Sequence, residues 1–296
     1  VVSMKADEIE DLPLGILGSA LVGRMAGLSV SGGTTRPGSA ATLTIRNPTT
    51  WSKDGGTNDP LYVIDGVEQI DPYTLNSDAS AFNNLDPSEV ESISVLKDGA
   101  AAIYGSRAAN GVVLVQTKRG QLGKPRISFS SSYGVNDEIY RSKMLSAYQY
   151  AQYMNIANGV YGKNDATVAN LFPEDELAAI QGLNYDWLDQ AWSASHMLRN
   201  TVNVSGGHEN VTYFAGLSQY NQNGNLASLN YNKYTWRAGA DIKVTAGLKI
   251  GLQVSGAYSN KVKTFNKIGG ENDENDYKTL IETPRYIPPY VSGLPV

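Results

Sequence analysis

Residues 60–70, PLYVIDGVEQI, and 83–120, NNLDPSEVESISVLKDGAAAIYGSRAANGVVLVQTKRG, decide how this chain folds. LYVIDGV reads as a strand running into an Asp65-Gly66 turn, the strongest short-range hairpin signal a sequence offers. Asp86-Pro87-Ser88-Glu89 is a helix start: a capping carboxylate, a proline preset for the first helical position and acid in the first turn. In VESISVLK, Val90, Ile93 and Leu96 break a two-residue alternation, which predicts cover on more than one side. AAAIYGSRAANG is small and glycine-punctuated, enough for one helical turn and a tight return. VVLVQTK is β-branched and apolar enough to be buried on both faces.

Upstream, GILGSALVGRMAGL places Ile16, Leu17, Ala20, Leu21 and Met25 at helical spacing, with Gly27 as a stop. Leu28-Ser29-Val30 reads as a short strand, Arg36-Pro37-Gly38-Ser39 as a turn, and ATLTIRNP as a second strand with Leu43 and Ile45 on one face. Arg46 is followed by Asn47-Pro48. Asparagine tolerates positive φ, while the proline after it pulls Asn47 toward extended geometry, so the two signals conflict there.

Downstream, Gln121 to Pro125 is a short polar linker, and from Arg126 the pattern changes. Ile127, Phe129, Tyr133 and Val135 alternate with polar or small residues. So do Val202 and Val204; Val211, Tyr213, Ala215 and Leu217; Tyr234, Trp236, Ala238, Ala240, Ile242 and Val244; and Leu248, Ile250, Leu252, Val254 and Tyr258. Such runs match the ~10-residue dyad repeat of membrane barrels. Their connections alternate: a long excursion (136–200), the tight GGHEN turn, a medium QNGNLASLN, the tight Thr245-Ala246-Gly247 and a long polar stretch from Asn260. Short turns at one end and longer loops at the other is the barrel rule. Within the excursion, LSAYQYAQYMNIANG predicts an amphipathic helix with Tyr150, Tyr153, Met154 and Ala157 on one stripe. PEDELAAIQG predicts a short helix, and NYDWLDQAW follows.

Composition narrows the classes. The chain has 296 residues, a net charge of −5 and no cysteine, so disulfides, thiol nucleophiles and thiolate metal sites are excluded together. With His196 and His208 as the two histidines, a multi-histidine metal centre is unavailable. The acidic balance and the lack of a Lys/Arg-rich run argue against a nucleic-acid partner. No stretch approaches the ~18 consecutive apolar residues of a membrane helix, which leaves membrane strands open. Tyr outnumbers Phe by 18 to 5, a bias suited to surfaces half apolar and half wet.

DPSEVESISVLKDGAAAIYGSRAANGVVLVQTKRG, with LYVIDGV upstream, closely resembles the plug signature of the SusC/RagA-type TonB-dependent outer-membrane transporters. The resemblance implies an α+β plug over residues 1–123, followed over 124–296 by the N-terminal part of an antiparallel transmembrane β-barrel and its outer loops. Plugged barrels of this kind use ~22 strands and about five are patterned here, so the chain is expected to be part of a larger protein. The signature positions are Asp65, Gly66, Asp86, Pro87, Lys97, Asp98, Tyr104, Gly105, Arg107, Asn110, Gly111 and Lys118, with a structural or gating role. It further implies import of a bulky nutrient, glycan or peptide, and residence in the bacterial outer membrane among its lipids. The implied partners are a SusD-like surface lipoprotein and the TonB-ExbB-ExbD complex.

Other residues carry weaker chemical signals. Asp65, Asp71 and Asp86 read as turn and cap residues before acid–base pairs. Glu271, Asp273, Glu274 and Asp276 read as a solvated loop, with a calcium ion as the weaker alternative; no other cofactor is expected. Gly105 and Gly111 bracket SRAAN without the lysine-serine of a phosphate loop. Lys97, Asp98 and Arg107 are expected to hold the plug against the inner wall, with Arg237, Asp241 and Lys243 as counterparts. Tyr148, Tyr150, Tyr153, Trp187 and Trp192 either stack on sugars, meet a lid partner or pack locally. A receptor or adhesin that binds without importing stays open as a second reading. An enzyme is disfavoured by the missing nucleophile, metal and paired-carboxylate patterns.

Overall fold

The computed structural model describes residues 1–5, 8–10, 12, 14–32, 36–45, 58–141, 143–161, 171–226, 229–262, 273–291 and 294–295. The Asn47-Pro48 turn lies outside them. The chain forms two compact units: Val1–Asn136 with Ser195–Gly224 and Ser228–Lys263, and Asp137–Ala194 with Asn225–Ala227 and Thr264–Val296.

Among its described residues the first unit holds two five-stranded sheets and a small hairpin. In the plug, β1 (Val2–Lys5), β4 (Leu61–Ile64), β5 (Val67–Gln69), β6 (Val90–Leu96) and β7 (Val112–Thr117) lie in the order β1-β6-β7-β4-β5. Only β4 and β7 run parallel. A separate hairpin pairs β2 (Ser29–Gly32) with β3 (Ala41–Thr44). The β4–β5 turn carries Asp65 at φ 51° and Gly66 at φ 87°, the two positive values that a type I′ hairpin requires. On one face of the sheet Tyr62, Ile93, Val95, Val113 and Val115 pack with Leu17, Leu21, Leu43 and Phe82. On the other, Leu61, Val63 and Val112 pack with Ala101 and Ala108. This two-sided cover is why β7 reads as a continuous apolar run. A register shift between Val90 and Ser92 explains the broken alternation of β6: the bulge resets the period, after which Ile93 and Val95 both point into the core.

Two helical expectations shrink. GILGSALVGRMAGL yields only α1 (Leu17–Ala20), because Gly23 and Gly27 take φ 69° and 73° and turn the chain out of the helix. The helix start at Asp86 gives one 3-10 turn, Pro87–Glu89, before β6 begins. A second short helix, α2 (Ser80–Asn84), precedes it.

The second sheet, here the wall, is an antiparallel meander of β8 (Gly123–Asn136), β9 (Ser195–His208), β10 (Val211–Asn223), β11 (Asn230–Thr245) and β12 (Leu248–Val262). Its register places Phe129, Val202, Leu217 and Trp236 in one outward row and Ile127, Val204, Ala215, Ala238 and Val254 in the next. Phe129, Leu217, Leu252 and Tyr258 stay over 60% exposed. From Leu248 to Tyr258 the β12 row runs ~34 Å at ~3.4 Å per residue, or ~24 Å of membrane normal at a ~45° tilt. That is the ~25 Å height of a barrel's apolar band. Above it the outward face turns polar. Asn221 donates to Asn232, Asn232 to Asn230 at 2.6 Å and Asn230 to Asn223 at 2.7 Å. The strands therefore extend past their apolar rows: the excursion after β8 is 137–194 and the medium connection is 224–229. The linker also shortens, since β8 starts at Gly123.

The second unit carries α3 (Ala147–Tyr161), α4 (Glu174–Ile180), α5 (Trp187–Ala191) and α6 (Asp273–Glu282). Its core is Ala147, Ala151 and Ile180, packed with Phe172, Leu177 and Tyr286. The expected stripe on α3 rotates: Tyr153 is exposed, and Ala147 and Ala151 are the positions buried against Ile180. From Asp273 the acidic block belongs to α6 and not to a loop; Glu271 lies outside the described residues. Among the described residues no helix is long and apolar enough to cross a membrane, which leaves crossing by strands untouched.

The plug core is tightly filled, so Ile93→Ala is expected to lower its stability by about 2–5 kcal/mol, whereas Glu91→Ala on the exposed side changes it by less than about 0.5 kcal/mol. Urea midpoints of plug unfolding in the detergent-solubilised protein check this.

Candidate functional site

The inner rows of β9, β10 and β11 are buried yet polar: Arg199, Thr201 and Asn203; Ser218; Lys233, Thr235 and Arg237. Charges are rarely buried unless paired, and these are paired with the plug. Arg199 donates to Asp86 through Nη2 at 2.5 Å and Nε at 3.3 Å, and its Nη1 reaches the carbonyls of Glu10 at 2.7 Å and Leu12 at 3.1 Å. Asp86 also accepts from Ser218 Oγ at 2.6 Å, Ser88 N at 2.8 Å and Ser88 Oγ at 2.6 Å. Lys233 Nζ donates to the carbonyls of Gly15 at 2.5 Å, Asn83 at 3.3 Å and Leu85 at 3.5 Å. Thr235 donates to Glu89 at 2.9 Å. Arg237 Nη2 donates to Asp65 at 2.6 Å and to Gln253 at 3.0 Å. Asp65 is in turn fixed inside the plug by Thr117, whose backbone N–H and hydroxyl donate at 2.9 and 2.6 Å. Asp65 and Asp86 are therefore turn and cap residues as read, and each also accepts from a wall arginine: Asp65 through Oδ2, shared with the Thr117 hydroxyl, and Asp86 through both oxygens.

The two buried carboxyls respond oppositely. Burial works to raise Asp86, but the charge of Arg199 and the hydrogen bonds from Arg199, Ser218 and Ser88 outweigh it and hold the group below the usual range. Burial pushes Glu89 up to about 7, against the Thr235 bond and with the Asp86 charge adding to the rise; Arg237 and Lys233 only partly offset this.

Among the described residues Lys97 and Arg107 bond within the plug and not, as expected, to the wall. Lys97 Nζ donates to Ala26 O at 2.7 Å, and Arg107 pairs with Glu68 at 2.9 Å, both within the plug. Asp98 sits at φ 54° at the start of a short 3-10 turn. Of the expected counterparts, Arg237 binds Asp65, Asp241 faces Arg119 at 4.0 Å, and Lys243 is exposed. Lys118 pairs with Glu10 at 2.7 Å. Tyr104 packs against the second plug cluster, and Gly105 kinks the 3-10 segment at φ 72°. Asn110 leads into Gly111, at φ 93°, where a side chain would crowd Ile45 and the Leu96 carbonyl. Asp71 caps its own turn, accepting from Tyr73 N and Thr74 N. In the second unit Trp187 donates to Ile287 O at 2.9 Å and Trp192 to Asp137 at 3.0 Å, while Tyr150 lies against Tyr286. His196 Nδ1 and the Tyr133 hydroxyl share a hydrogen bond at 2.6 Å on the outward face, and His208 is exposed at the end of β9. Among the described residues no group of three His, Asp or Glu could hold a metal ion.

Arg199 and Lys233 escape the sequence reading because the first apolar residues of their alternating rows, Val202 and Tyr234, lie three residues and one residue downstream. Extending period two upstream through the polar positions, Arg199-Thr201-Asn203 and Lys233-Thr235-Arg237, would have found both.

A plug docked by buried charges on the inner face of an antiparallel wall is the architecture of TonB-dependent receptors. Residues 1–112 match the family model described as TonB-dependent Receptor Plug Domain. The chain is 32% identical over 262 residues to TonB-dependent receptor P26 of Formosa agariphila, covering 87% of this chain and 25% of that one. It is 34% identical over 241 residues to TonB-dependent receptor SusC of Bacteroides thetaiotaomicron, covering 79% and 22%. The RagAB peptide transporter superposes over 100% of this chain and 34% of its own, with TM-score 0.76 and 24% identity. Within the receptors, the chain belongs to the SusC/RagA type, as a plug with five wall strands. It spans about a quarter of the length of the curated relatives it matches.

A pH series tests the seam. A raised folded value means that the Glu89 contribution is complete below its ordinary 4.5 and is lost as pH climbs through about 7. The depressed Asp86 contributes above its ordinary 3.8 and is lost as pH falls below it. Urea midpoints of the plug should therefore decline from about pH 4.5 to 7, by about 3 kcal/mol in stability. Glu89→Gln should flatten that decline.

Proposed function

We propose that this chain is the gate and opening wall of an importer that carries a bulky nutrient, a glycan, oligosaccharide or peptide, across the bacterial outer membrane. The observation that carries the reading is the seam itself. The plug is held by buried ion pairs and carbonyl contacts, beside the rings of Tyr220 and Tyr231 that lie over Gly15 and Gly38. Polar contacts of this kind exchange with water once the seam opens, so a plug held this way can be moved and can reseat.

Family membership supports drive from the TonB-ExbB-ExbD complex, a SusD-like lipoprotein as surface partner, and outer-membrane lipid around the outward rows. Asp65 and Asp86 take the gating role, since each joins the plug to the wall. Gly66, Pro87, Asp98, Tyr104, Gly105, Asn110 and Gly111 shape the plug, and Lys97, Arg107 and Lys118 brace it internally. The role is transport and not catalysis. A ligand outside the plug biases the gate only through different affinity for its closed and open states.

Cells expressing the receptor with its lipoprotein partner should accumulate labelled oligosaccharide or peptide, and deletion of TonB should abolish accumulation while surface binding persists. Surface binding with no TonB-dependent accumulation of either would replace import by a receptor or adhesin role.

A further inference from the structure

Above the apolar band, the outward face of the wall carries a relay of amides. Asn221 and Asn232 are register partners on β10 and β11, and so are Asn223 and Asn230. Their side chains bond in series: Asn221 donates to Asn232, Asn232 to Asn230 at 2.6 Å and Asn230 to Asn223 at 2.7 Å. A side-chain amide has both donors and an acceptor, so a series of this kind ends with one of each unused. Among the described residues the Oδ1 of Asn221 and the Nδ2 of Asn223 have no partner. Both strands are interior to the wall sheet, so the relay does not depend on what pairs with either edge.

The register also sets its height. Tyr234 and Tyr258, 46% and 67% exposed, are partners that end the apolar band one outward row below Asn232 and Asn260. One such row is ~6.8 Å of strand, or ~5 Å of membrane normal at a ~45° tilt. Asn221 and Asn232 therefore fall within the ~5–8 Å interfacial layer of a bilayer, and Asn223 and Asn230 at its outer edge. This is the end of the longer connections, which in a barrel is the outer one. The charge pattern then selects the headgroup. No outward position of β10, β11 or β12 carries Lys, Arg, Asp or Glu. A phosphate offers acceptors alone and calls for Lys or Arg. A hydroxyl donates and accepts, so it satisfies either end of the relay. The tyrosine rings just below offer apolar faces with a polar tip, suited to the C–H face of a sugar ring.

We propose that this strip binds the neutral saccharide headgroup of an outer-leaflet glycolipid. Its hydroxyls bridge the open ends at Asn221 and Asn223, and its acyl chains lie along the apolar rows beneath. The inference goes beyond import and rests on the lipid-facing reading of the outward rows.

The purified receptor in nanodiscs of equal parts digalactosyldiacylglycerol and phosphatidylglycerol, with matched acyl chains, tests it. Native mass spectrometry of the released receptor should show the glycolipid retained at least about 5-fold over the phospholipid. Asn221→Leu and Asn232→Leu, both on the outward face, should each bring the two lipids within about twofold of one another. Leu252→Ala, in the apolar band, should leave the preference unchanged, and Asn232→Lys should turn it toward phosphatidylglycerol. Equal retention of the two lipids, or a preference that survives both leucine variants, would overturn the headgroup site while leaving the lipid-facing wall in place. Displacement of the glycolipid by free galactose would overturn lipid as the source of the sugar. A receptor that does not enter the discs would overturn the lipid-facing wall and the site together.

Discussion

The contact between Arg199 and Asp86 constrains everything around it. Both side chains are almost wholly removed from water, with 4% and 0% exposure. A charge in that position costs several kcal/mol unless its partner and its remaining hydrogen-bond groups are all satisfied. The fold satisfies them. Ser88 and Ser218 fill the remaining acceptor sites of Asp86, and the carbonyls of Glu10 and Leu12 take the spare donors of Arg199. The geometry of Asp86 is thus set from two directions: by the 3-10 turn it caps and by the wall it meets.

The same logic runs along the seam. Among the buried groups the carboxylates come from the plug and the cations from the wall, while the more exposed Arg119–Asp241 contact runs the other way, so the two bodies attract in one orientation and mismatch in a slipped one. Lys233 has no carboxylate bonded to it and uses three plug carbonyls instead, which fixes Gly15 and the end of α2 together. Glu89 meets the wall through one hydroxyl, which is too little to offset its burial. The outward face of the same strands solves the opposite problem: apolar rows for lipid, closed above by asparagines that satisfy one another.

Much of this was legible in the residues. The Asp65-Gly66 turn, the two-sided burial of VVLVQTK and the parity of the wall connections all follow from local pattern. The partners of the plug charges did not, because pairing across more than a hundred residues leaves no spacing signal. Lys97 and Arg107 looked poised for the wall but find acceptors within the plug. Arg237 lies within an alternating run and was open to view, whereas Arg199 and Lys233 sit where apolar alternation lapses into polar residues, and a lapse of that kind looks like a loop. The α1 segment was overread because apolar residues at helical spacing cannot by themselves outvote two glycines that leave the helical region.

The most direct measurement is a double-mutant cycle between Asp86→Ala and Arg199→Ala, read as plug stability in the detergent-solubilised receptor. A plug held by this pair predicts a coupling of about 2 kcal/mol or more, with the double variant recovering part of what either single change loses. Additive losses, with coupling under about 0.5 kcal/mol, would contradict the account and move the holding force to the apolar contacts.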